Sequence, residues 1–390
     1  MEPKIRFSSS NILYEEKTLS EISTINPKTN VPLEFEYVDL ESVSGTEMTN
    51  HRTEHKATAP SRAQRLAKKG DIFYQTVRPY QKNNYYFDMD DDNYVFSTGY
   101  AQIRPSIYGK YLFTLLQNDS FLKQVLDNCA GTSFPAINPS VLSRLSVRIC
   151  KDIQEQQAIA SYFTSLDSQI SASTSRLASL KQMKAASLQA MFPQEGETVP
   201  KIRFKGVEGE WKKVKLGKLF SERIENNVDG EMLSVTMNNG IIKAAENGRF
   251  DNSNSDKSKY KVVKVGDIAY NSMRMWQGAS GCSQYEGIVS PAYTVVVPNA
   301  NIHSLFFAYL FKTIPMINLF RLHSQGLTKD TWNLKYPAFS IIEVSYPESK
   351  SEQQAIASYF TSLDRQISLQ SQRLEKLKQI KSACLDKMFV

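Results

Sequence analysis

Three residues in the first half of the chain have the types and spacing of a zinc site. His51, Glu54 and His55 match the HxxEH pattern of one class of metalloproteases. That chemistry needs both histidines on one face of a stable helix, where they can bind the metal together. Residues 46–50 and 56–60 supply no apolar face on which such a helix could pack. We therefore interpret the segment as a polar surface loop and predict no zinc site.

An acidic cluster has part of the spacing of a calcium-binding loop. Asp88, Asp90 and Asp92 match its first ligands, but Asn93 stands where glycine is required and Gly99 stands where the bidentate glutamate is required. A solvated acidic turn is the better interpretation.

Motifs that bind phosphates or dinucleotides do not occur in the sequence, which contains neither GxxxxGK[ST] nor GxGxxG. Asn26-Pro27 and Asn138-Pro139 are not followed by the proline and aromatic residue of base methyltransferases. The sequence has four histidines and no nucleophile elbow. We therefore expect a chain that is not an enzyme and that holds no metal or cofactor of its own.

The basic residues are unevenly distributed. The formal net charge is +7, and by region it is 0 for residues 1–150, −1 for 151–198, +6 for 199–347 and +2 for 348–390. A basic region favours a polyanionic partner, so nucleic acid is a candidate ligand.

Composition also predicts the compartment. The most apolar run, residues 305–311, is far too short to span a membrane, and the beginning of the sequence has no apolar signal core. The four cysteines show no CxxC spacing, so reduced thiols are expected. We expect a cytoplasmic protein with no membrane partner.

The elements that must position any site occur twice in the chain. Residues 155–167 (EQQAIASYFTSLD) recur unchanged 197 positions later, and residues 3–7 (PKIRF) recur at the same distance. Residues 70–78 (GDIFYQTVR) correspond to residues 266–274 (GDIAYNSMR). The chain is therefore two tandem copies of one unit, whose period is far longer than that of solenoid repeats.

The nearly identical part of each copy predicts a long helix that pairs with its twin. Its apolar residues alternate at spacings of four and three, the heptad pattern of a coiled coil, without glycine or proline. The predicted helix-pairing residues are Ile159, Phe163, Leu166, Ile170, Leu177, Leu180, Ile356, Phe360, Leu363, Ile367, Leu374 and Leu377. Because each helix offers its twin the same surface, a pseudo-twofold antiparallel pair is favoured over core helices of two independent domains.

Lys184 and Lys381 occupy equivalent positions on these helix seams. A cation buried in a seam costs stability but fixes the register of pairing. The alternative is that each lysine extends its ammonium group to the edge of the seam. The sequence leaves both alternatives open.

The divergent part of each copy predicts a mixed α+β globule. Short β-branched runs bounded by glycine and proline predict strands at residues 70–74, 94–103, 262–270 and 292–298. Residues 112–126 and 305–322 favour helix. The polar loops 42–65 and 237–259 have little in common between the copies, and this difference favours two different targets.

The predicted organisation is therefore a first globular domain at residues 1–150, a helical spacer at 151–198, a second globular domain at 199–347 and a second helical spacer at 348–390. The predicted fold class is α+β, an internal duplication with two mixed domains and an antiparallel coiled coil.

Several of these motifs together are typical of one family. They are the EQQxIAxxF helix starts at residues 155 and 352, the GDI strands, residues 138–142 (NPSVL) and residues 209–217 (GEWKKVKLG). In these features the whole chain resembles the specificity (S) subunit of type I restriction–modification enzymes. One departure is that Val77-Arg78-Pro79 becomes Met273-Arg274-Met275, so the loop after Arg274 is expected to differ in shape.

The resemblance implies two target-recognition domains, each reading one half of a split, asymmetric sequence in double-stranded DNA. It also implies that the paired helices set the spacer between the half-sites and dock two methyltransferase (M) subunits, which restriction (R) subunits join. S-adenosylmethionine, ATP and magnesium would belong to those partners. The chain itself would be non-catalytic and would direct adenine methylation and restriction.

Two other interpretations remain. In the first, the chain is a coiled-coil scaffold that joins two protein-binding domains, and it would show no salt-sensitive binding to duplex DNA. In the second, the chain is an enzyme with a hidden metal site, which metal analysis of the purified protein would test.

Arg78 and Arg274 are the leading candidates for DNA contact, because each follows the end of an equivalent predicted strand. We expect both to contact phosphate. The alternative is that each arginine pairs with a core carboxylate, Asp71 or Asp267. Neighbouring candidates are Tyr80, Gln81, Lys82, Trp276 and Gln277.

Basic loop residues form a second group of candidates. In the first domain they are Arg52, Lys56, Arg62 and Arg65, beside Lys68 and Lys69; in the second they are Lys243, Arg249, Lys257, Lys259, Arg321 and Lys329. The charge distribution predicts that the second group contributes more to non-specific affinity.

Helix length gives a final expectation. If the paired helices set the distance between the two DNA contacts, a length of roughly 50–60 Å, shortened by tilt, corresponds to about one turn of DNA between half-site centres.

Overall fold

The computed structural model describes residues 3–7, 14–237, 239–247 and 256–389. The chain divides into two compact units. The first unit comprises residues 1–174 and 372–390, and the second comprises residues 175–371. Each unit therefore contains one globular part and a portion of both long helices.

The first unit is mixed, with short strands and short helices. Its strands are β1 (Tyr14–Thr18), β2 (Ser23–Ile25), β3 (Glu34–Val38), β4 (Val43–Ser44), β5 (Glu47–Met48), β6 (Arg52–His55), β7 (Ala63–Leu66), β8 (Ile72–Gln75), β9 (Tyr85–Tyr86), β10 (Tyr94–Ser97), β11 (Tyr100–Pro105) and β12 (Ser146–Cys150). Its short helices are α1 (Leu19–Ile22), α2 (Gly109–Leu115), α3 (Asp119–Asp127) and α4 (Pro139–Leu142). The long helix α5 (Ile153–Ala190) begins in this unit.

Two four-stranded sheets form the centre of the first unit. One has the order β2-β11-β8-β9 and the other has the order β6-β3-β10-β7, in which β3 and β10 run parallel. All four side chains of β8 are buried, as expected for a strand that is covered on both faces. The aromatic rings of Phe73 and Phe96 stack with their centroids 3.6 Å apart. This packing fixes the frame from which the loops project.

The second unit repeats that frame with a different second layer. Its strands are β13 (Lys212–Lys215), β14 (Phe220–Glu222), β15 (Leu233–Thr236), β16 (Gly240–Lys243), β17 (Lys261–Val263), β18 (Ile268–Asn271), β19 (Ser280–Cys282), β20 (Gly287–Val289), β21 (Tyr293–Pro298) and β22 (Glu343–Tyr346). Its helices are α6 (Ser304–Leu310), α7 (Ile314–His323), α8 (Tyr336–Ser340) and the long α9 (Lys350–Met388), which ends in the first unit.

The sheet β14-β21-β18-β19 has the same strand order as β2-β11-β8-β9 at equivalent sequence positions. The counterpart of the other sheet consists of the two-stranded pairs β15-β16 and β17-β20. The two copies therefore share one sheet and diverge in the other. Strands β6, β7 and β16 of this divergent layer lie wholly or partly in the segments 42–65 and 237–259, which were predicted as polar loops.

The two helical segments predicted at residues 112–126 and 305–322 are each broken into two helices. In the first, Leu116 closes α2, and the Asn118 side chain caps α3 by accepting a hydrogen bond of 2.6 Å from the backbone N–H of Ser120. In the second, Pro315 lies in the first turn of α7, a position that suits proline, whereas the interior of a helix does not. Periodicity alone did not distinguish one helix from two.

No single helix among the described residues is long and apolar enough to cross a membrane. Helices α6 and α7 meet the length and composition criteria only when taken together, and they are bent by 82° at the break between them.

The segment Arg52–His55, which directly follows His51, is the edge strand β6, so the interpretation of this segment as a loop was wrong. β6 pairs antiparallel with β3, and Nδ1 of His51 lies 2.8 Å from a carboxylate oxygen of Glu36. His55 is exposed and lies 3.5 Å from Glu34 on the same strand pair. The polar residues at 46–50 and 56–60 hid this strand, since backbone pairing to β3 requires no apolar face. Among the residues with described positions, no group of histidine, cysteine or acidic side chains could hold a metal ion.

The long helices pair antiparallel inside each unit. In the first unit, Asp167 of α5 forms an ion pair with Lys381 of α9, and Tyr162 lies opposite Cys384. In the second unit, Lys184 pairs with Asp364, so the same contact is made by the repeated residues. Both nitrogen–oxygen distances are 2.5 Å. The predicted fold class, two mixed domains with an antiparallel coiled coil, is confirmed.

Both seam lysines are half-buried and paired with an aspartate from the other helix. The predicted helix-pairing residues are all buried or half-buried: Ile159, Phe163, Leu166, Leu180, Ile356, Phe360 and Leu363 are buried, and Ile170, Leu177, Ile367, Leu374 and Leu377 are half-buried. The seam is therefore apolar at its core, and each lysine reaches a carboxylate at its side.

The repeated PKIRF segments cap the ends of these helices. In the first unit the backbone N–H groups of Lys4 and Ile5 donate to the Lys387 carbonyl at 2.8 and 3.2 Å. In the second unit Ile202 donates to the Ala190 carbonyl at 2.9 Å. Since the last carbonyls of a helix have no partner within it, each segment satisfies a group that would otherwise need water.

Candidate nucleic-acid interface

A tight turn follows the central strand of the first unit and carries Arg78. Arg78 and Lys82 flank the 3-10 turn Pro79–Gln81, and both adopt the left-handed backbone conformation, with φ of 55° and 54°. In the described part of the chain only one other non-glycine residue, Asn26, has a positive φ. This conformation costs about 1 kcal/mol or more per residue, so surrounding contacts must enforce it.

Hydrogen bonds around Gln75 enforce the turn. The Gln75 side-chain amide donates to the Val77 carbonyl and to the Gln81 side chain, both at 2.8 Å. The backbone N–H of Arg78 donates to the Pro135 carbonyl at 2.8 Å. Gln81 is therefore tied to Gln75 although it is exposed, whereas Tyr80 is 51% exposed and available to a ligand.

The Arg78 side chain lies on an exposed aromatic ring. Its guanidinium carbon is 4.5 Å from the ring centroid of Phe134. Asp71, the carboxylate considered as its alternative partner, instead forms a bidentate pair with Arg104, with both distances 2.8 Å. Within the described residues, no ion pair involves Arg78.

The second unit repeats the turn with different side chains. Arg274 is exposed at the start of the 3-10 turn Met275–Gln277, and Gly278 closes it with φ of 82°. Asp267 pairs with Arg223 at 2.7 and 2.9 Å. In this unit too, the core carboxylate is therefore bonded to an arginine other than the one on the turn. Glycine adopts a positive φ without strain.

Trp276 has an aromatic partner, and Gln277 is exposed. The Trp276 ring centroid lies 5.3 Å from that of Trp332, and its Nε1–H donates to the Met273 carbonyl at 3.0 Å. The loop differs as expected: φ is −128° at Arg274 and 55° at Arg78, and the side chains and the closing residue change, while the 3-10 turn is retained.

In each unit a lysine connects the turn to the junction between the two short helices that follow it in the chain. The lysine lies on the turn in the first unit and at the helix junction in the second. In the first unit Lys82 reaches from the turn, donates to the Gln117 carbonyl at 3.1 Å and pairs with Asp119. In the second unit Lys312 reaches from the helix junction and donates to the carbonyls of Gly278 and Met237, the latter at 2.9 Å. Sequence reasoning missed Lys312, because its acceptors are backbone carbonyls far away in the chain.

The environment of Lys312 perturbs its titration. Burial and the positive charge of Lys184 lower the pKa of Lys312 to about 8. Through their hydrogen bonds within the protein, Lys82 and Lys312 hold in place the turns that carry the candidate DNA-contacting residues.

Two of the four remaining basic candidates of the first unit, Arg52 and Lys56, are partnered within the protein. Arg52 forms ion pairs with Asp39 at 2.7 Å and Glu54 at 2.8 Å, and the hydrogen bond to Glu54 is the largest cause that raises the pKa of Arg52. Lys56 donates to the Val31 carbonyl at 3.1 Å. Arg62 is exposed, whereas Arg65 is half-buried and burial lowers its pKa.

The basic candidates of the second unit are more open. Lys243 pairs with Glu231 at 3.0 Å. Lys259, Arg321 and Lys329 are exposed and Lys257 is half-buried. Arg249 lies outside the described residues.

Together these positions form, in each unit, one turn with an exposed or stacked arginine and a set of basic loop residues. An arginine held by its neighbours offers several N–H donors at fixed angles, which suits phosphate or the edge of guanine. The arrangement can therefore bind an anion that offers two acceptor atoms side by side.

Comparison with known proteins identifies relatives over nearly the whole chain. The family described as "Type I restriction modification DNA specificity domain" matches twice, at residues 11–182 and 208–379. The HindI type I restriction enzyme specificity subunit of Haemophilus influenzae is 34% identical over 139 residues, which are 34% of this chain and 30% of that protein. The match thus spans about a third of the length of that curated relative.

Solved structures resemble the chain over its full length. The type I restriction–modification S subunit from M. genitalium has a TM-score of 0.65 at 15% identity, covering 100% of this chain and 99% of that one. A chain from a study of complex assembly and conformational transition of the type I R-M system has a TM-score of 0.54 at 19% identity, covering 97% and 98%. At such identities the likeness concerns the fold alone.

Proposed function

The chain belongs to the type I restriction–modification DNA specificity family, and from this premise we propose that it is the subunit that recognises DNA sequence. In this proposal residues 1–150 and 199–347 are target-recognition domains, each of which reads one half of a bipartite, asymmetric duplex site. Residues 151–198 and 348–390 form the helical spacer between them. The chain performs no catalysis and directs adenine methylation and restriction by its partners.

The observation that carries the proposal is the repeated turn after the central strand. It presents an arginine in both units, while the core carboxylate beside each turn is already neutralised by Arg104 or Arg223. The arginine is therefore available to a ligand. The surrounding loops differ between the units, as two different half-sites require.

The partners follow from the same premise. We propose that two methyltransferase subunits dock on the paired helices, whose residues are nearly identical in the two copies, and that restriction subunits join them. S-adenosylmethionine, ATP and magnesium are assigned to those subunits.

The test is DNA binding by the assembled complex carrying Arg274→Ala. A lost phosphate contact should weaken binding evenly across sequences and lower the slope of log affinity against log salt by about one. Gln277→Ala, on the same turn, removes no charge, so it should leave the slope unchanged whatever its effect on affinity. Unchanged affinity and slope for Arg274→Ala would show that this arginine does not contact DNA.

The same measurement of salt-dependent DNA binding, made on the unaltered complex, distinguishes the proposed function from its main alternative. A coiled-coil scaffold for two protein-binding domains predicts no salt-sensitive binding to duplex DNA. Sequencing of methylated positions across the genome would then identify the bipartite site, and a site with one continuous sequence would contradict the two-domain assignment.

A further inference from the structure

A short hairpin loop lies beside the arginine-bearing turn in each unit. In the first unit it spans residues 130–137, and Ala130 and Ala136 exchange backbone hydrogen bonds of 2.9 and 3.0 Å. In the second unit it spans residues 325–334, and Gln325 and Asn333 exchange the same pair at 3.0 and 2.8 Å. The two hairpin loops are therefore equivalent, although the second is longer.

Each hairpin loop is anchored to its turn by the same backbone contact. Ile137 donates to the Thr76 carbonyl at 3.0 Å, and Leu334 donates to the Ser272 carbonyl at 2.8 Å. Both acceptors lie just after the central strand of their unit. The position of each hairpin tip is thus fixed relative to the arginine by the frame that the copies share.

The tips carry large apolar side chains that face solvent. Phe134 is 61% exposed and Leu327 is fully exposed. Loops held on a rigid frame commonly carry the residues that contact a ligand. The tip sequences, GTSFP and GLTKDTW, also differ between the units, as do the turns they accompany.

In the first unit the hairpin tip orients an arginine. The guanidinium carbon of Arg78 lies over the Phe134 ring, 4.5 Å from the ring centroid, and the neighbouring Pro135 carbonyl accepts the Arg78 backbone N–H. A guanidinium that is stacked on its face keeps its N–H edge for a pair of acceptors. The ring therefore blocks one side of the guanidinium and limits the positions that the Arg78 side chain can take.

In the second unit the hairpin tip orients an indole. Trp332 meets Trp276 nearly edge to face, at 79° and 5.3 Å between centroids. The only N–H donor of Trp276 is bonded to the Met273 carbonyl, so this side chain offers a ligand apolar ring surface and no donor. The two units thus present different chemistry at equivalent places.

We propose that Phe134 and Trp332 are positioning residues of the DNA site. Phe134 holds the Arg78 guanidinium for a pair of acceptors in one half-site, supplied by a phosphate or by a guanine edge. Trp332 holds the Trp276 ring against apolar groups of the other half-site, deoxyribose or a thymine methyl. This inference rests on the DNA-binding function proposed above.

Double-mutant cycles test the first unit. Phe134→Ala should weaken binding of a duplex carrying the mapped methylation site by about 2- to 5-fold, the effect of an exposed cation–π contact, and should lower the salt slope. In an Arg78→Ala background it should have no further effect. Phe134→Tyr should restore affinity and slope, while Phe134→Leu, which keeps apolar volume without the π face, should behave like the alanine variant.

The second unit gives a contrasting expectation. Trp332→Ala should weaken binding without changing the salt slope, and it should have no further effect when Trp276 is already alanine. Trp332→Phe should retain most of the affinity. Leu33→Ala and Ile224→Ala remove apolar side chains that are 82% and 81% exposed elsewhere, and these control variants should bind like the unaltered protein.

The outcomes separate this inference from the function on which it rests. If the unaltered complex shows no salt-sensitive duplex binding, the proposed function fails. If it binds but the effects of the paired substitutions are additive, the hairpin residues do not act through Arg78 and Trp276. Wild-type binding by Phe134→Leu would likewise overturn the role of the aromatic face. Phe134→Leu also serves where Phe134→Ala fails to fold.

Discussion

Replacing Glu352 should destabilise the second unit much more than replacing an exposed acidic residue nearby. Glu352 begins the repeated segment of α9, and its side chain is only 4% exposed. It accepts a bidentate pair from Arg203 at 3.0 and 2.9 Å and a third hydrogen bond from Trp211 Nε1 at 3.2 Å. Arg203, at 13% exposure, is also nearly buried.

The magnitude follows from what Glu352→Ala leaves behind. The Arg203 guanidinium would remain buried, with the carbonyls of Gly209 and Glu208 as its remaining described acceptors. Removing one partner of a buried pair costs about 3–5 kcal/mol. In a unit of this size each kcal/mol lowers Tm by about 2–4 °C, so a fall of roughly 6–20 °C is expected.

Thermal unfolding of the full chain measures the effect, and Glu348→Ala is the matched control. Glu348 pairs with Lys212 at 2.6 Å, but the two side chains are 64% and 56% exposed. An exposed pair contributes about 0–1 kcal/mol, so this control should change Tm little. Equal effects of the two substitutions would refute the argument that burial decides the cost. Arg203→Ala combined with Glu352→Ala should cost less than the sum of the two.

Three further outcomes are expected. Burial lowers the pKa of Lys312 to about 8 from 10.5, so between these pH values the unfolded chain binds a proton that the folded chain does not. The stability of the unaltered protein relative to Lys312→Met should therefore rise with pH across this window, and a constant difference in unfolding free energy would contradict it. Lys259→Gln, in the more basic unit, should weaken non-specific duplex binding more than Lys56→Gln, because the ammonium group of Lys56 is already bonded within the protein. Equal losses of affinity in DNA titrations of the two variants would contradict this expectation. Four residues inserted after Leu177 add about 6 Å to α5 and slightly more than one helical turn, so both half-sites should persist with an unread spacer longer by about one or two base pairs. Methylation mapping would show the longer spacer. A changed half-site with an unchanged spacer would exclude the helices as the determinant of spacer length.

The duplication and the long helices could be predicted from the sequence because both are repeated, local patterns. The heptad spacing extends over many turns, so the errors of any single position average out. The strands after Gly70 and Gly266 were also predictable, since β-branched residues follow a glycine at both places. What was mispredicted is also local: polar flanks hid the edge strand β6, and continuous apolar spacing hid the break between α6 and α7.

The partners of the candidate site could not be read from the sequence, because they depend on tertiary contacts. Asp71 binds Arg104 and Asp267 binds Arg223, and these partners lie 33 and 44 residues away. No spacing rule selects them over the nearer Arg78 or Arg274. The contact between Arg78 and Phe134 joins two segments whose sequences give no signal of pairing until the hairpin is seen.

The ion pairs of the long helices have an evolutionary consequence. Asp167 contacts Lys381 and Asp364 contacts Lys184, so each copy of the repeat contributes one aspartate and one lysine to the pairing. An interface in which residue i meets j and j meets i is self-complementary. Its pairing residues all lie in the helices, so exchanging one globular domain for another by recombination would leave these contacts intact. An incoming domain would have to pack its own core on the same helix residues, as the present domains do on Ile159 and Phe163 or on Ile356 and Phe360. The unchanged residues 155–167 and 352–364 offer every such domain the same surface.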